Sequence, residues 1–173
     1  MSATGAGGGS ITVDISGAEK MIRMLNEMQK SPQKAITSAA GKAATQVKRA
    51  IKQGTVPVGA TGNLKKAIVR KAEKSRKRGR KVYDVTFDSA YNEVLQKPIQ
   101  NPGEAGGKNP KAYYPASQEY GFLTRSKGNG ITYVEGLHFM KKGADESEKQ
   151  AMDIMMDTLG KELDKIWQKA QHG

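Results

Sequence analysis

Cysteine is absent from the 173 residues, which excludes disulfides and thiolate chemistry and makes cytosolic synthesis the natural reading. Histidine occurs only twice, as His138 and His172, so the sequence has few groups for a histidine-rich metal site or for a nucleophile, base and orienting residue brought together. Three Phe and one Trp beside six Tyr describe a lean core. No apolar run approaches the roughly 20 residues that span a bilayer. Met1–Ser10 has neither the basic nor the apolar region of a signal peptide. Acidic residues are also scarce: 17 face 29 Lys and Arg, for a net charge of +12, which favours polyanions or acidic protein surfaces as neighbours.

Patterns that resemble catalytic or binding constellations have simpler explanations. Asp153 and Asp157 share a helical face, but Lys149 and Lys161 lie at the same spacing, as expected for solvated ion pairs. Asp84, Thr86 and Asp88 mark one face of a strand as wet. The glycines of 5–9 have no preceding strand and no following Gly-Lys-Ser/Thr, so they read as a flexible tail over residues 1–10, not a phosphate loop. His138 reads as a polar residue at a helix entrance. No cofactor and no metal is expected, and the chain is not read as an enzyme.

Periodicity supplies the architecture. Ile11, Val13 and Ile15 alternate with polar residues as in a half-buried strand. Met21, Ile22, Leu25 and Met28 have helical spacing over 18–30. Ser31 and Pro32 then read as the N-cap and first position of a second helix, whose stripe is Ile36, Ala40, Ala43, Val47 and Ala50 or Ile51, ending at Gly54. Its alanines imply close approach by a neighbour. Thr61 caps a short turn through Leu64, Ala67–Ala72 and Val82–Asp88 form strands, and the charged connection Lys74–Lys81 makes a hairpin of them. Residues 96–111, with three prolines, read as an irregular arm, mobile until ordered against another chain. Tyr113–Phe122 and Ile131–Val134 read as strands, separated by Gly128-Asn129-Gly130. A last helix spans Asp145–Ala170, with Met152, Met155, Leu159, Leu163, Ile166 and Ala170 on one face.

The expected fold is thus α+β: a small antiparallel sheet of about four strands, with two N-terminal helices and one long C-terminal helix packed on it. Residues 11–173 form a single domain, carrying a basic hairpin at about 67–89 and the arm at about 96–112.

Between Lys65 and Lys81 lie ten basic residues and one acid, Glu73. Arg76, Lys77, Arg78 and Arg80 are placed at the hairpin tip, projecting into solvent. Such a tip can neutralise phosphates or can be a solvated turn that serves solubility. No aromatic lies within this stretch, so contact with nucleic acid would be with backbone, not by base stacking.

Three ordered motifs carry a family resemblance. The first is Pro57-Val58-Gly59-Ala60-Thr61-Gly62-Asn63-Leu64-Lys65-Lys66-Ala67-Ile68, the second Tyr114-Pro115-Ala116-Ser117-Gln118-Glu119-Tyr120-Gly121, and the third His138-Phe139-Met140 before the long helix. In this order they resemble the tail-completion, or head-to-tail joining, proteins of tailed bacteriophages, which include neck and tail-terminator subunits. Ala67 stands where that family often has Ser, His138 where it often has Pro, and 96–111 looks like an insertion. The resemblance implies structural roles for Pro57, Thr61, Gly62, Leu64, Tyr114, Glu119, Gly121 and Phe139. It implies a virion protein, present in the host cytoplasm during assembly, that forms a homo-oligomeric ring of six or twelve copies at the neck through a heterologous interface. Its partners would be the portal or adaptor and the tail-tube or other neck proteins, with non-specific DNA contact in the channel and no membrane. The alternative reading, from the charge, is a basic nucleic-acid-binding module.

Overall fold

Small side chains bring the two long helices together. In the computed structural model, which describes residues 11–12, 33–57, 62–74, 77–99, 111–125 and 130–171, helix α1 spans Gln33–Ala50 and buries Ala35, Ile36, Ala39, Ala40, Gly41, Ala43, Ala44 and Val47. That set covers more than one face. One side of α1 packs on a sheet and another on the long C-terminal helix, an arrangement that close-approaching alanines permit. The Gln46 side-chain amide donates to Gln150 Oε1 across the helix pair at 2.7 Å. After Ala50 the helix widens into a π turn, Ile51–Thr55. Ile51 is fully buried there, and the Val56 amide returns to the Ile51 carbonyl at 3.1 Å.

A short helix α2, Asn63–Ala67, leads directly into strand β2, Ile68–Ala72. β2 pairs antiparallel with β3, Tyr83–Phe87, in the register Ile68↔Phe87 through Ala72↔Tyr83. The expected hairpin is present, and Val85 and Phe87 alternate inward as expected. Strand β1, described only at Ile11–Thr12, pairs with the other edge of β3. The order is therefore β1-β3-β2. Asp84, Thr86 and Asp88 are half-buried, not fully wet; Asp88 Oδ1 accepts from the Ala90 amide at 3.1 Å and caps the following 3-10 turn, Ser89–Tyr91.

Four features depart from the sequence-based expectation. The strands divide among three separate ladders, the other two being β4, Gln96–Pro98, with β5, Lys111–Tyr113, and β6, Gly121–Arg125, with β7, Ile131–Glu135. Each of these pairs locally, so its hydrogen bonds are met without joining the larger sheet. The arm expected to be irregular is thus paired at both ends, Gln96↔Tyr113 through Pro98↔Lys111; Pro98 is tolerated at the strand end, where its missing amide costs nothing. Tyr114–Tyr120, expected as strand, is helix α3, since Pro115 suits a first helical turn. The last helix, α4, begins at Phe139, not Asp145, and runs to Gln171.

The tail 1–10, the rest of the first strand, the helix over 18–30, Ser31, Pro32, Thr61 and the centre of the arm lie outside the described residues. Among the described residues no helix is long and apolar enough to cross a membrane.

One hydrophobic cluster joins α1, α2, β2, β3 and α4. Within it the Phe87 ring meets Tyr113 edge-on at 6.3 Å and Phe139 at 6.4 Å, geometries that add to burial. Ile68, fully buried on the first residue of β2, is a sensitive point in this cluster. Ile68→Ala is expected to destabilise the chain by about 2–5 kcal/mol, through lost transfer energy and a residual cavity. Val69→Thr, on the half-buried opposite face, is expected to cost much less. Urea denaturation of the two variants checks this; equal losses would contradict the placement of the core.

Candidate interaction surfaces

The second motif builds a junction. Glu119 is only 4% exposed, and its carboxylate accepts from the first amides of α4: Oε2 from Met140 N–H at 2.8 Å and Oε1 from Lys141 N–H at 3.1 Å. A negative charge at a helix N-terminus meets unsatisfied amides and the positive end of the helix dipole. The backbone continues the attachment, with Leu137 N–H donating to the Gln118 carbonyl at 2.7 Å and His138 N–H to the Glu119 carbonyl at 3.1 Å.

Gly121 follows with φ +86, and a Cβ there would lie 2.3 Å from the Val134 carbonyl oxygen. It opens strand β6 directly after the helix α3. His138 has φ +50, alone among described non-glycine residues. Proline, locked near −65°, cannot adopt that angle and has no N–H to donate to the Glu119 carbonyl.

The remaining motif residues are also structural. Gly62, with φ +62, stands at the N-terminus of α2 without a side-chain cap, and its carbonyl accepts from Lys66 N–H at 3.0 Å. Leu64 and the fully buried Ala67 enter the core, Pro57 is half-buried after the π turn, Tyr114 packs against the core, and Phe139 is buried at the start of α4.

The basic hairpin is less free than its sequence implies. Gly79, with φ +78, donates its amide to Gln33 Oε1 at 2.8 Å, and Gln33 Nε2 donates to the Arg80 carbonyl at 3.3 Å. The tip is therefore held against the first turn of α1 instead of projecting freely. These ties use backbone atoms of the tip, leaving the Lys77, Arg78 and Arg80 side chains exposed; Arg76 lies outside the described residues. Two other cations of the segment serve the fold. The Arg70 guanidinium lies 4.7 Å above the Tyr83 ring and donates to Gly41 O and to Thr45 Oγ1. Lys81 Nζ lies over the same ring and donates to the Glu73 carbonyl at 2.9 Å.

A second basic group was not apparent from the sequence. Burial, then the ammonium groups of Lys48 and Lys65, holds the Lys52 amine below the ordinary lysine range. Residues of α1, the π turn and α2 thus concentrate positive charge at one place. The expected solvated pairing on α4 is present at Asp157, whose Oδ2 meets Lys161 Nζ at 2.7 Å, both well exposed. Among the described residues no group of three or more His, Asp or Glu is placed to hold a metal ion.

The surface that sequence reasoning missed is the β6/β7 hairpin. Leu123, Ile131 and Tyr133 are 58%, 60% and 57% exposed. Phe122 and Val134, on the opposite face, are exposed as well. Adjacent apolar residues, Phe122-Leu123 and Tyr133-Val134, were the available signal, because neighbours in a strand point to opposite faces.

Two outcomes test the junction. Glu119→Ala leaves the buried Met140 amide and the partly buried Lys141 amide without this acceptor and is expected to cost about 1–3 kcal/mol, read as a lower melting temperature. His138→Gly is expected to hold or raise the melting temperature by relieving a positive φ, whereas His138→Pro lowers it sharply; the reverse order in calorimetry would contradict this junction geometry. In comparisons with known proteins, no family model, no curated protein and no solved structure matches the chain.

Proposed function

We propose that the chain is a non-catalytic structural subunit of a tailed-phage neck, forming a ring that joins the portal side of the head to the tail. The observation that carries this reading is the β6/β7 hairpin, an arm with apolar side chains exposed on both faces. A lone two-stranded hairpin is marginal in water, and exposed apolar surface of this kind marks a protein interface. The order of the three sequence motifs supports the same reading, since Glu119, Gly121 and Phe139 together set where that arm leaves the body. In this reading the segment over 18–30 supplies the first of two N-terminal helices, and the exposed Lys77, Arg78 and Arg80 face an acidic ring or the DNA channel, where screened, non-specific contact permits transit.

The net charge of +12 and the lysine group around Lys52 favour a second reading, a module that binds nucleic acid through backbone phosphates. Salt-dependent duplex binding by the isolated monomer, without assembly, would select it.

The test replaces Arg76, Lys77, Arg78 and Arg80 by Ser together. The melting temperature of the free subunit is expected to change little, because exposed charges contribute little and the tip's ties to Gln33 use its backbone. The yield of joined, infectious particles is expected to fall. A normal yield would leave these residues as a solvated turn, and a wild-type chain with no affinity for portal, adaptor or tail-tube proteins would overturn the neck reading itself.

A further inference from the structure

Charge on this chain is segregated by element. From Gln33 to Ala72 there are nine Lys and Arg and no Asp or Glu, a stretch that builds α1, the π turn, α2 and β2. α4 is mixed, and Lys141, Lys161 and Lys165 each meet a carboxylate there, of Asp145, Asp157 and Glu162. Among the described residues no carboxylate lies within ion-pair distance of Lys34, Lys48, Lys52 or Lys65.

The fold aligns these cations. Gly41, Thr45, Lys48 and Lys52 follow one another at steps of four, three and four residues, and Lys34 stands seven before Gly41, so all five share one line of α1. The Arg70 guanidinium reaches this line at Gly41 and Thr45 and interrupts it with no opposite charge. At one end the basic tip is fastened to Gln33. At the other, Lys65 of α2 comes close enough for its charge to act on Lys52. From Lys34 to Lys52 the line is about 27 Å long, the axial length of about eight base pairs.

What the line lacks selects its partner. Among the described residues, none of the exposed large hydrophobic side chains falls within 33–83. A protein interface has an apolar, often aromatic centre, and a helix that lies on lipid inserts an apolar face; this face offers neither. Amines along a line, without exposed aromatic side chains, match backbone phosphates, which are met by charge and not by stacking. Crowding adds to the case. Burial first, then Lys48 and Lys65, hold the Lys52 amine below the ordinary lysine range, a cost that an anion at this end relieves.

We infer that the line Lys34–Lys48–Lys52–Lys65 binds the phosphate backbone of duplex DNA without reading its sequence. The inference rests on the neck reading for its setting, a channel that carries DNA, and adds the surface that meets it: α1, with the tip at one end.

The test follows the anisotropy of a labelled duplex, longer than the line, with the full chain over a salt series. Wild type is expected to bind duplexes of unrelated sequence alike, with an affinity that falls steeply as salt rises. Lys48→Gln with Lys52→Gln and Lys65→Gln is expected to reduce the salt slope by about three and the low-salt affinity by about tenfold or more, while the melting temperature holds or rises as the crowding is relieved. Lys141→Gln with Lys161→Gln and Lys165→Gln removes the same charge from α4, where each lysine is already paired, and is expected to leave the slope near that of wild type. In the wild-type chain, bound duplex is expected to protect Lys48, Lys52 and Lys65 from acetylation, read by mass spectrometry, and to leave Lys141 and Lys161 reactive.

Equal losses from the two triple variants, or protection that spares Lys48, Lys52 and Lys65, would overturn the inference. Tighter binding of polyglutamate than of duplex at equal charge would overturn it in favour of an acidic protein partner. A wild-type chain that ignores duplex but associates with portal, adaptor or tail-tube protein would overturn the inference and leave the neck reading standing. Duplex binding through these lysines by a chain with no affinity for those proteins would do the reverse.

Discussion

The contact between the Glu119 carboxylate and the first amides of α4 is what the rest of the architecture hangs on. A carboxylate with 4% exposure would be costly if unpaired, and it is tolerated because two helix amides, at Met140 and Lys141, receive it. The same short segment anchors residues 137 and 138 through its backbone carbonyls. One residue thereby ties α3 to α4 and fixes the stem of the β6/β7 hairpin, whose two strands begin and end between them. The close packing of Gly121 and Gly136 against this stem and the positive φ of His138 are conformational costs that the junction sustains. They tie the Glu, the Gly two residues later and the Phe at the start of the helix to the geometry of one junction.

Away from the junction, the core is held by shape. Alanines and Gly41 let α1 lie close to both the sheet and α4, and the aromatic contacts of Phe87 with Tyr113 and Phe139 join the sheet to the ends of the two later segments. What remains uncovered includes the β6/β7 hairpin, whose exposed apolar residues lie outside this cluster.

The positive charge divides between cations held inside the fold and cations carried on its surface. Arg70 and Lys81 are consumed by Tyr83 and by backbone carbonyls. Lys52 is crowded by Lys48 and Lys65 as well as partly buried. Lys77, Arg78 and Arg80 are carried outward on a tip whose backbone is fastened to Gln33. A tip fastened in this way presents its charges from a defined position, which suits docking better than a freely swinging loop does.

Local periodicity was enough to determine the α1 stripe, the β2/β3 hairpin with Val85 and Phe87 inward, and the buried face of α4 through Met155 and Leu159, because burial of an amphipathic face imposes its period on the residues. It also determined the mixed helix and sheet content. Only tertiary structure decided that Tyr114–Tyr120 is helix despite its tyrosines, since the carboxylate of Glu119 finds its amides in a segment twenty residues away. The early start of α4 has the same cause. The fastening of the basic tip to Gln33 depends likewise on a partner remote in sequence, and a reading by local spacing has no access to it. The hairpin's importance was present in the sequence as adjacent apolar residues, but its exposure is a property of what the fold fails to cover, and that is settled only when every other surface has been placed.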